Sequence, residues 1–155
     1  NTPVNINGSL TFKQFMDKGF EGFIPTMEDW ILHCKLYFPE VRLRNFIEIR
    51  NHDCVGNGLE YSVPALYKGI MYSKDAFELA ENIVNRFTIN EIKELRYQVA
   101  KSAIHTKIGK TPILGTCKEL VNTSYKALKA EGLNEEKFLE PLIEMLKKGK
   151  CPCEM

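Results

Sequence analysis

Within 155 residues, one stretch reads most clearly with a period of two: Arg42 to Arg50, in which Phe46, Glu48 and Arg50 alternate with Ile47 and Ile49. Alternation with a period of two predicts an extended strand, with Ile47 and Ile49 on one face and Glu48 and Arg50 on the other. The apolar face is expected to pack on a core. Val4 to Ile6 reads as a second short strand, followed by the turn signal Asn7-Gly8. Two strands do not make a stable sheet in isolation. Their edges need partners, from a missing N-terminal region of a longer protein or from self-association of two copies that share strands. The opening Asn1-Thr2-Pro3, without an initiator Met, fits an expressed piece or a trimmed product.

The rest of the chain has the helical period. Phe12, Phe15 and Met16 make one face of a short helix from Thr11 to Lys18, and Gly19 and Gly22 mark a loop after it. Thr26 opens the next helix, with Glu28 and Asp29 in its first turn where acids suit the dipole. Trp30, Ile31, Cys34 and Phe38 form its expected buried stripe, and Pro39 stops it. Asn51 to Glu60 is polar, contains Gly56-Asn57-Gly58, and reads as a loop able to shape itself around a ligand. Everything after Ser62 reads as helix, near Val63 to Tyr72, Lys74 to Arg86, Ile89 to Ser102, Cys117 to Glu131 and Glu135 to Lys148. Ser73, Thr88, Thr116 and Asn134 mark the starts. Thr88 with Glu91 and Thr116 with Glu119 have capping-box spacing. Gly132 suits a C-terminal cap, and Pro141 predicts a kink or a late start in the last helix. The fold class expected is α+β and mostly α. One domain covers 1–155, with a strand-and-helix part over 1–61 and a helical tail over 62–150.

Charge and cysteine usage narrow the partners. Twenty-one basic residues against 20 acidic ones leave a net charge of +1, which gives no field to draw nucleic acid or a membrane surface. No apolar run approaches the roughly 20 residues of a membrane span. The five cysteines, odd in number and irregular in spacing, do not outline a disulfide framework and lead to the expectation of a reducing, cytoplasmic setting. Cys151-Pro152-Cys153 lacks a second ligand pair and reads as a frayed terminus, not a zinc site. His33, His52 and His105 show no nucleophile–base spacing. Phe77, Phe87, Tyr97, Tyr125 and Phe138 fit helix–helix packing, and Tyr67, Met71 and Tyr72 form a candidate exposed patch.

Glu48 and Arg50 are the pair most able to do chemistry. Two residues apart on a strand, they share a face. A carboxylate there is a hard ligand of the kind Mg²⁺ takes, often while bridging to a nucleotide phosphate. A guanidinium beside it can hold phosphate or carboxylate through two hydrogen bonds. Phosphoryl transfer uses both kinds of group, since its catalysis is mostly positioning and charge neutralisation. By spacing alone an ion pair on a wet sheet face is the commoner arrangement, and both readings stand at this point.

The segment Thr26 to Asp53 resembles the glutamate–cysteine ligases of plants and many bacteria. The resemblance rests on Asp29-Trp30, Phe38-Pro39-Glu40-Val41-Arg42-Leu43, Glu48-Ile49-Arg50 and Asp53. Collinear with these, Thr11-Phe12-Lys13-Gln14-Phe15, Val63-Pro64-Ala65-Leu66-Tyr67-Lys68-Gly69, Gly109-Lys110-Thr111-Pro112 and the final Glu154-Met155 are similar to family runs. The resemblance implies an ATP- and Mg²⁺-dependent enzyme that joins the γ-carboxylate of glutamate to the amine of cysteine through γ-glutamyl phosphate, on an antiparallel sheet like that of glutamine synthetase. It implies a metal-ligand role for Glu48 and a catalytic role for Arg50 at the transferring phosphoryl group. Arg42 and Arg44 would assist with phosphate or substrate carboxylate. Read from the residues alone, Trp30 with Phe38 and Tyr37 is core or interface first and a substrate-pocket wall second. Asn51-His52-Asp53 departs from the family's Gly-Ala-Asp, so His52 changes the local shape and charge of that loop. Most of the family's carboxylates lie upstream of this chain, so the isolated chain is expected to be inactive. The alternatives are a carboxylate–amine ligase with another amine acceptor and a non-catalytic helical scaffold.

Overall fold

The computed structural model describes residues 8, 10–36, 38–56 and 58–154. The strand expected at Val4 to Ile6 lies outside them. The chain divides into two compact units, Asn1–His52 and Asp53–Met155.

The first unit is two helices and a hairpin. Helix α1 (Phe12–Lys18) starts at a capping box: the Thr11 hydroxyl accepts from the Gln14 amide, and the Gln14 side chain accepts from the Thr11 amide. It ends at Gly19, whose φ of 68° suits glycine and where an added Cβ would lie 2.5 Å from the Phe23 carbonyl oxygen. Helix α2 (Met27–Leu36) starts the same way, with Thr26 and Asp29 bonding each other's amides. Strands β1 (Val41–Leu43) and β2 (Ile47–Ile49) then pair antiparallel, Val41 opposite Ile49, Arg42 opposite Glu48 and Leu43 opposite Ile47. The run Arg42 to Arg50 is therefore not one strand. It folds back at residues 44–46, where the Arg44 amide donates to the Phe46 carbonyl at 2.8 Å.

The second correction concerns burial. None of the described residues of this unit is buried. Trp30, Ile31 and Cys34, expected as a buried stripe, are exposed, as are Phe38, Val41, Leu43 and Ile47, with Leu43 at 82%. The better-covered face of the hairpin is the charged one. A pair of three-residue strands and two short helices is too little material to enclose an apolar interior.

The second unit has a core. Helix α3 (Ser62–Met71) leads to α4 (Lys74–Val84), capped by Ser73, and α5 (Ile89–Ser102), capped by the Thr88–Glu91 box. A 3-10 turn at Ala103–His105 follows, then a small antiparallel hairpin, β3 (Lys107–Ile108) with β4 (Thr111–Pro112). That hairpin corrects the expectation of helix throughout. Gly109, at φ 56°, makes its turn possible.

Helix α6 (Ile113–Glu131) is the centre of the unit, burying Val121, Ser124 and Leu128 at helical spacing. It starts one turn before Cys117, so Thr116 is not its cap, and Glu119 instead accepts two 2.9 Å bonds from the Arg86 guanidinium. It ends at left-handed Gly132, as expected. A 3-10 turn at Glu136–Leu139 precedes α7 (Glu140–Lys148), so Pro141 marks a late start, not a kink. Leu59, Val121, Met145 and Leu146 form one apolar cluster, and Ala65, Leu128 and Leu139 another. Leu59, from the loop before α3, anchors that loop to the core.

Candidate functional site

Folding Arg42 back onto Glu48 creates the site. The two side chains stand directly across the hairpin on the face that also carries Arg50. Nε of Arg42 donates to Oε2 of Glu48 at 2.9 Å, and Nη2 forms an ion pair with the same oxygen at 2.8 Å. Oε1 of Glu48 stands 3.9 Å from Nε of Arg50, an ion-pair distance too long for a hydrogen bond. The Arg42 bonds, helped by the positive charges of Arg50 and Arg44 and opposed by partial burial, hold the Glu48 carboxyl below its usual range. A charged carboxylate thus sits between two guanidinium groups.

Arg50 is fixed from the other side by stacking. Its guanidinium lies 4.0 Å from the Phe38 ring centroid. Its Nη1 is buried without a hydrogen-bond partner among the described residues. A guanidinium with one donor unsatisfied is suited to donate to an anion's oxygen.

Next to this face is an open cleft of about 560 Å³, lined by Trp30, Ile31, Cys34, Lys35 and the hairpin residues Val41 to Arg44 among others. Among the described residues that line it are three cations, Lys35, Arg42 and Arg44, and no carboxylate. Trp30 forms one wall, held by its ring contacts with Phe12 at 5.4 Å and His33 at 5.8 Å. Arg42 belongs to both the cleft and the Glu48 face, with its Nη1 3.4 Å from the Lys35 carbonyl oxygen near the end of α2. The structure thus groups Glu48, Arg50 and Arg42 on one face, and Trp30, Arg42 and Arg44 around the cleft.

Sequence reasoning missed Phe38 as the platform for Arg50, Lys35 as a cleft residue, and Arg42 as the direct partner of Glu48. One signal was present: oppositely charged residues are placed symmetrically about Asn45, Arg42 with Glu48 and Glu40 with Arg50, which is the pattern of a hairpin with charge pairs across it. Asp53 is exposed and begins the second unit.

The terminus is also better held than expected. Cys151 is buried, its amide donates to Glu154, and Glu154 lies 3.4 Å from Nε2 of His105. Among the described residues no three His, Cys, Asp or Glu side chains are grouped to hold a metal. No described helix is long and apolar enough to cross a membrane.

The model of glutamate-cysteine ligase family 2 matches residues 11–155. The chain belongs to that family. Among curated proteins it is 29% identical to the chloroplastic glutamate–cysteine ligase of Solanum lycopersicum over 148 residues, and 27% identical to that of Nicotiana tabacum. Each alignment covers 94% of this chain and 28% of the relative. The Medicago truncatula enzyme is 26% identical over the same length. As a member of glutamate-cysteine ligase family 2, the chain spans well under a third of the length of these relatives. The family also overturns the cytoplasmic expectation, because the curated relatives are chloroplastic proteins.

Proposed function

We propose that this chain supplies an active-site hairpin and a helical tail to an ATP-dependent ligase that joins the glutamate γ-carboxylate to the cysteine amine through γ-glutamyl phosphate, a step of glutathione biosynthesis. The observation that carries the proposal is the charged hairpin face, with Glu48 between two guanidinium groups inside a segment matched by the family. In this reading Arg50, with its unsatisfied Nη1, holds an oxygen of the transferring phosphoryl group. Arg42 and Arg44 draw phosphate or substrate carboxylate to the cleft, and Trp30 walls it.

Glu48 fits Mg²⁺ as one ligand of a shared set. It is a hard, ionised oxygen donor, and Mg²⁺ is often held by one or two carboxylates together with substrate phosphates. The described residues offer no further carboxylate grouping, so the other ligands belong to the nucleotide and to protein outside this chain. The ion, when bound, neutralises charge on the phosphates. The exposed apolar residues of the hairpin, Val41, Leu43 and Ile47, suit cover by neighbouring strands of the complete catalytic sheet.

A chimera tests this. The chain replaces the matching 28% of the Solanum lycopersicum relative, and phosphate release dependent on glutamate, cysteine and ATP is measured. Activity is expected, with a loss of at least about a hundredfold in kcat for Glu48→Ala and for Arg50→Ala, as for removal of one transition-state contact. An active chimera whose turnover is unchanged by Glu48→Ala would remove Glu48 from the site. Activity with other amines but not cysteine would favour the sister-ligase alternative. A folded chimera without ATP binding would favour the scaffold.

A further inference from the structure

Two guanidinium groups flank Glu48, and they are held in different ways. A guanidinium carries its N–H donors around its edge and none on its faces. Arg42 is held by its edge: Nε donates to Glu48, and Nη2 pairs with the same oxygen. Arg50 is held by a face, 4.0 Å from the Phe38 ring centroid. Its Nε stands 3.9 Å from Glu48, and its Nη1 has no hydrogen-bond partner among the described residues. A second carboxylate could hold Arg50 as firmly, but it would occupy that edge and offset the charge. A ring does neither. The hairpin brings Phe38 to this position. The Arg50 amide donates to the Glu40 carbonyl at 2.8 Å, one step beyond the Val41–Ile49 pair. Pro39 fixes its own φ and keeps residue 38 out of the helical region, so α2 does not run on through Phe38. Phe38 is 69% exposed, so its ring does not serve a core.

We infer that Phe38 is a positioning residue: stacked on one face of Arg50, it fixes the plane of the guanidinium and leaves the Nη1 edge open to an anion. This rests on the ligase reading above, in which that edge meets a phosphoryl oxygen. With the plane fixed by the fold, less side-chain freedom is lost when the anion arrives, and the affinity of the site rises accordingly. The property that matters is the negative face of the ring, not its bulk. An aliphatic side chain fills similar space without that face, whereas Tyr retains it.

The test uses the full 155-residue chain with inorganic triphosphate as the probe, read by NMR at the Arg50 side chain. Protons over a ring face are shifted upfield, so the wild type should show an upfield Arg50 Nε–H resonance that moves as triphosphate is added. Phe38→Leu should lose the upfield shift and weaken triphosphate binding about two- to fivefold, matching a stack at an exposed ring. Phe38→Tyr should keep both. Arg50→Ala should weaken binding more than Phe38→Leu does, and the double variant should bind no more weakly than Arg50→Ala alone, since the two residues act as one unit. Ile47 and Ile49 amide resonances verify the hairpin, and Phe38→Met is read in place of Phe38→Leu if the latter disturbs them. If Phe38→Tyr weakens binding as much as the aliphatic variant, or if the aliphatic variant leaves it unchanged while Arg50→Ala weakens it, Phe38 does not position Arg50 and the ligase reading stands. If Arg50→Ala binds triphosphate as the wild type does, Arg50 is not the phosphate contact and both readings fall.

Discussion

Gly69 shows how little latitude a single residue has in the helical unit. A Cβ there would meet the Ser124 hydroxyl at 2.2 Å, its carbonyl oxygen at 2.6 Å and its Cα at 2.9 Å. Two of those atoms are backbone, so trimming Ser124 gives no relief. Gly69→Ala should destabilise the unit by about 3 kcal/mol or more, at the upper end for overpacking a tight contact. Chemical denaturation monitored by far-UV circular dichroism checks it; a loss under about 1 kcal/mol means the helices can part there without strain. Ser124 is fully buried, and its hydroxyl lies 3.2 and 3.1 Å from the Ala65 and Leu66 carbonyl oxygens. Ser124→Ala should therefore cost about 1 kcal/mol, the net worth of one such bond. The same residue-scale logic governs the site. Phe38 was legible as an aromatic of a stripe, but its use as a platform for Arg50 depends on the chain turning back, which no local preference of Phe38 encodes.

At the scale of elements, the starts of helices were read well where capping was local. The Thr11–Gln14 and Thr88–Glu91 boxes form as their spacing predicts. In the second, bonds from the Thr88 amide and hydroxyl hold the Glu91 carboxyl below its ordinary range. The sign follows: a carboxyl lowered in the folded state stabilises at pH above its unfolded value, and that contribution is lost as pH falls through the folded value. Acidification should therefore fray the start of α5, seen as loss of amide protection at Glu91 and Ile92. Thr88→Ala should cost about 1 kcal/mol, and Glu91→Gln, which removes the titrating carboxyl while the Thr88 amide stays, should flatten that acid dependence. An unchanged pH profile in Glu91→Gln would assign the acid sensitivity to other carboxylates. Thr116–Glu119 has equal local promise and fails. The helix begins earlier, and Glu119 finds better partners in both terminal nitrogens of Arg86, 33 residues away. With α6 under way from Ile113, Thr116 lies inside its first turn and no cap is needed there, which leaves the Glu119 carboxylate to Arg86.

At the scale of the molecule, the two units differ in what holds them. Asp53–Met155 has two apolar clusters and fully buried Leu128 and Leu139. Asn1–His52 has caps, ion pairs and ring stacks, but no buried residue among those described. Caps and surface pairs contribute about 1 kcal/mol or less each, whereas burying a single Leu contributes about 2 kcal/mol. Limited proteolysis of the chain should therefore cut within residues 12–56 first and leave a resistant fragment containing 62–148. Mass spectrometry of the first products checks this; early cuts inside α6 would show that the helical unit is not the stable one. Leu128→Ala, at zero exposure, should cost about 2–5 kcal/mol and remove that resistance.

By itself the sequence determined most of the helices, several of their caps, the left-handed end at Gly132, and the residues Glu48 and Arg50 as a charged pair on one face. These follow from periods and preferences that act over four or five residues. The turn at 44–46, the Arg42–Glu48 pair, the Phe38 stack and the Arg86–Glu119 bridge were decided only by tertiary structure. Each joins residues whose neighbours in sequence already satisfy a different local rule. Burial was misjudged for the same reason: an apolar stripe shows that a face seeks cover, while the cover itself has to come from chain elsewhere.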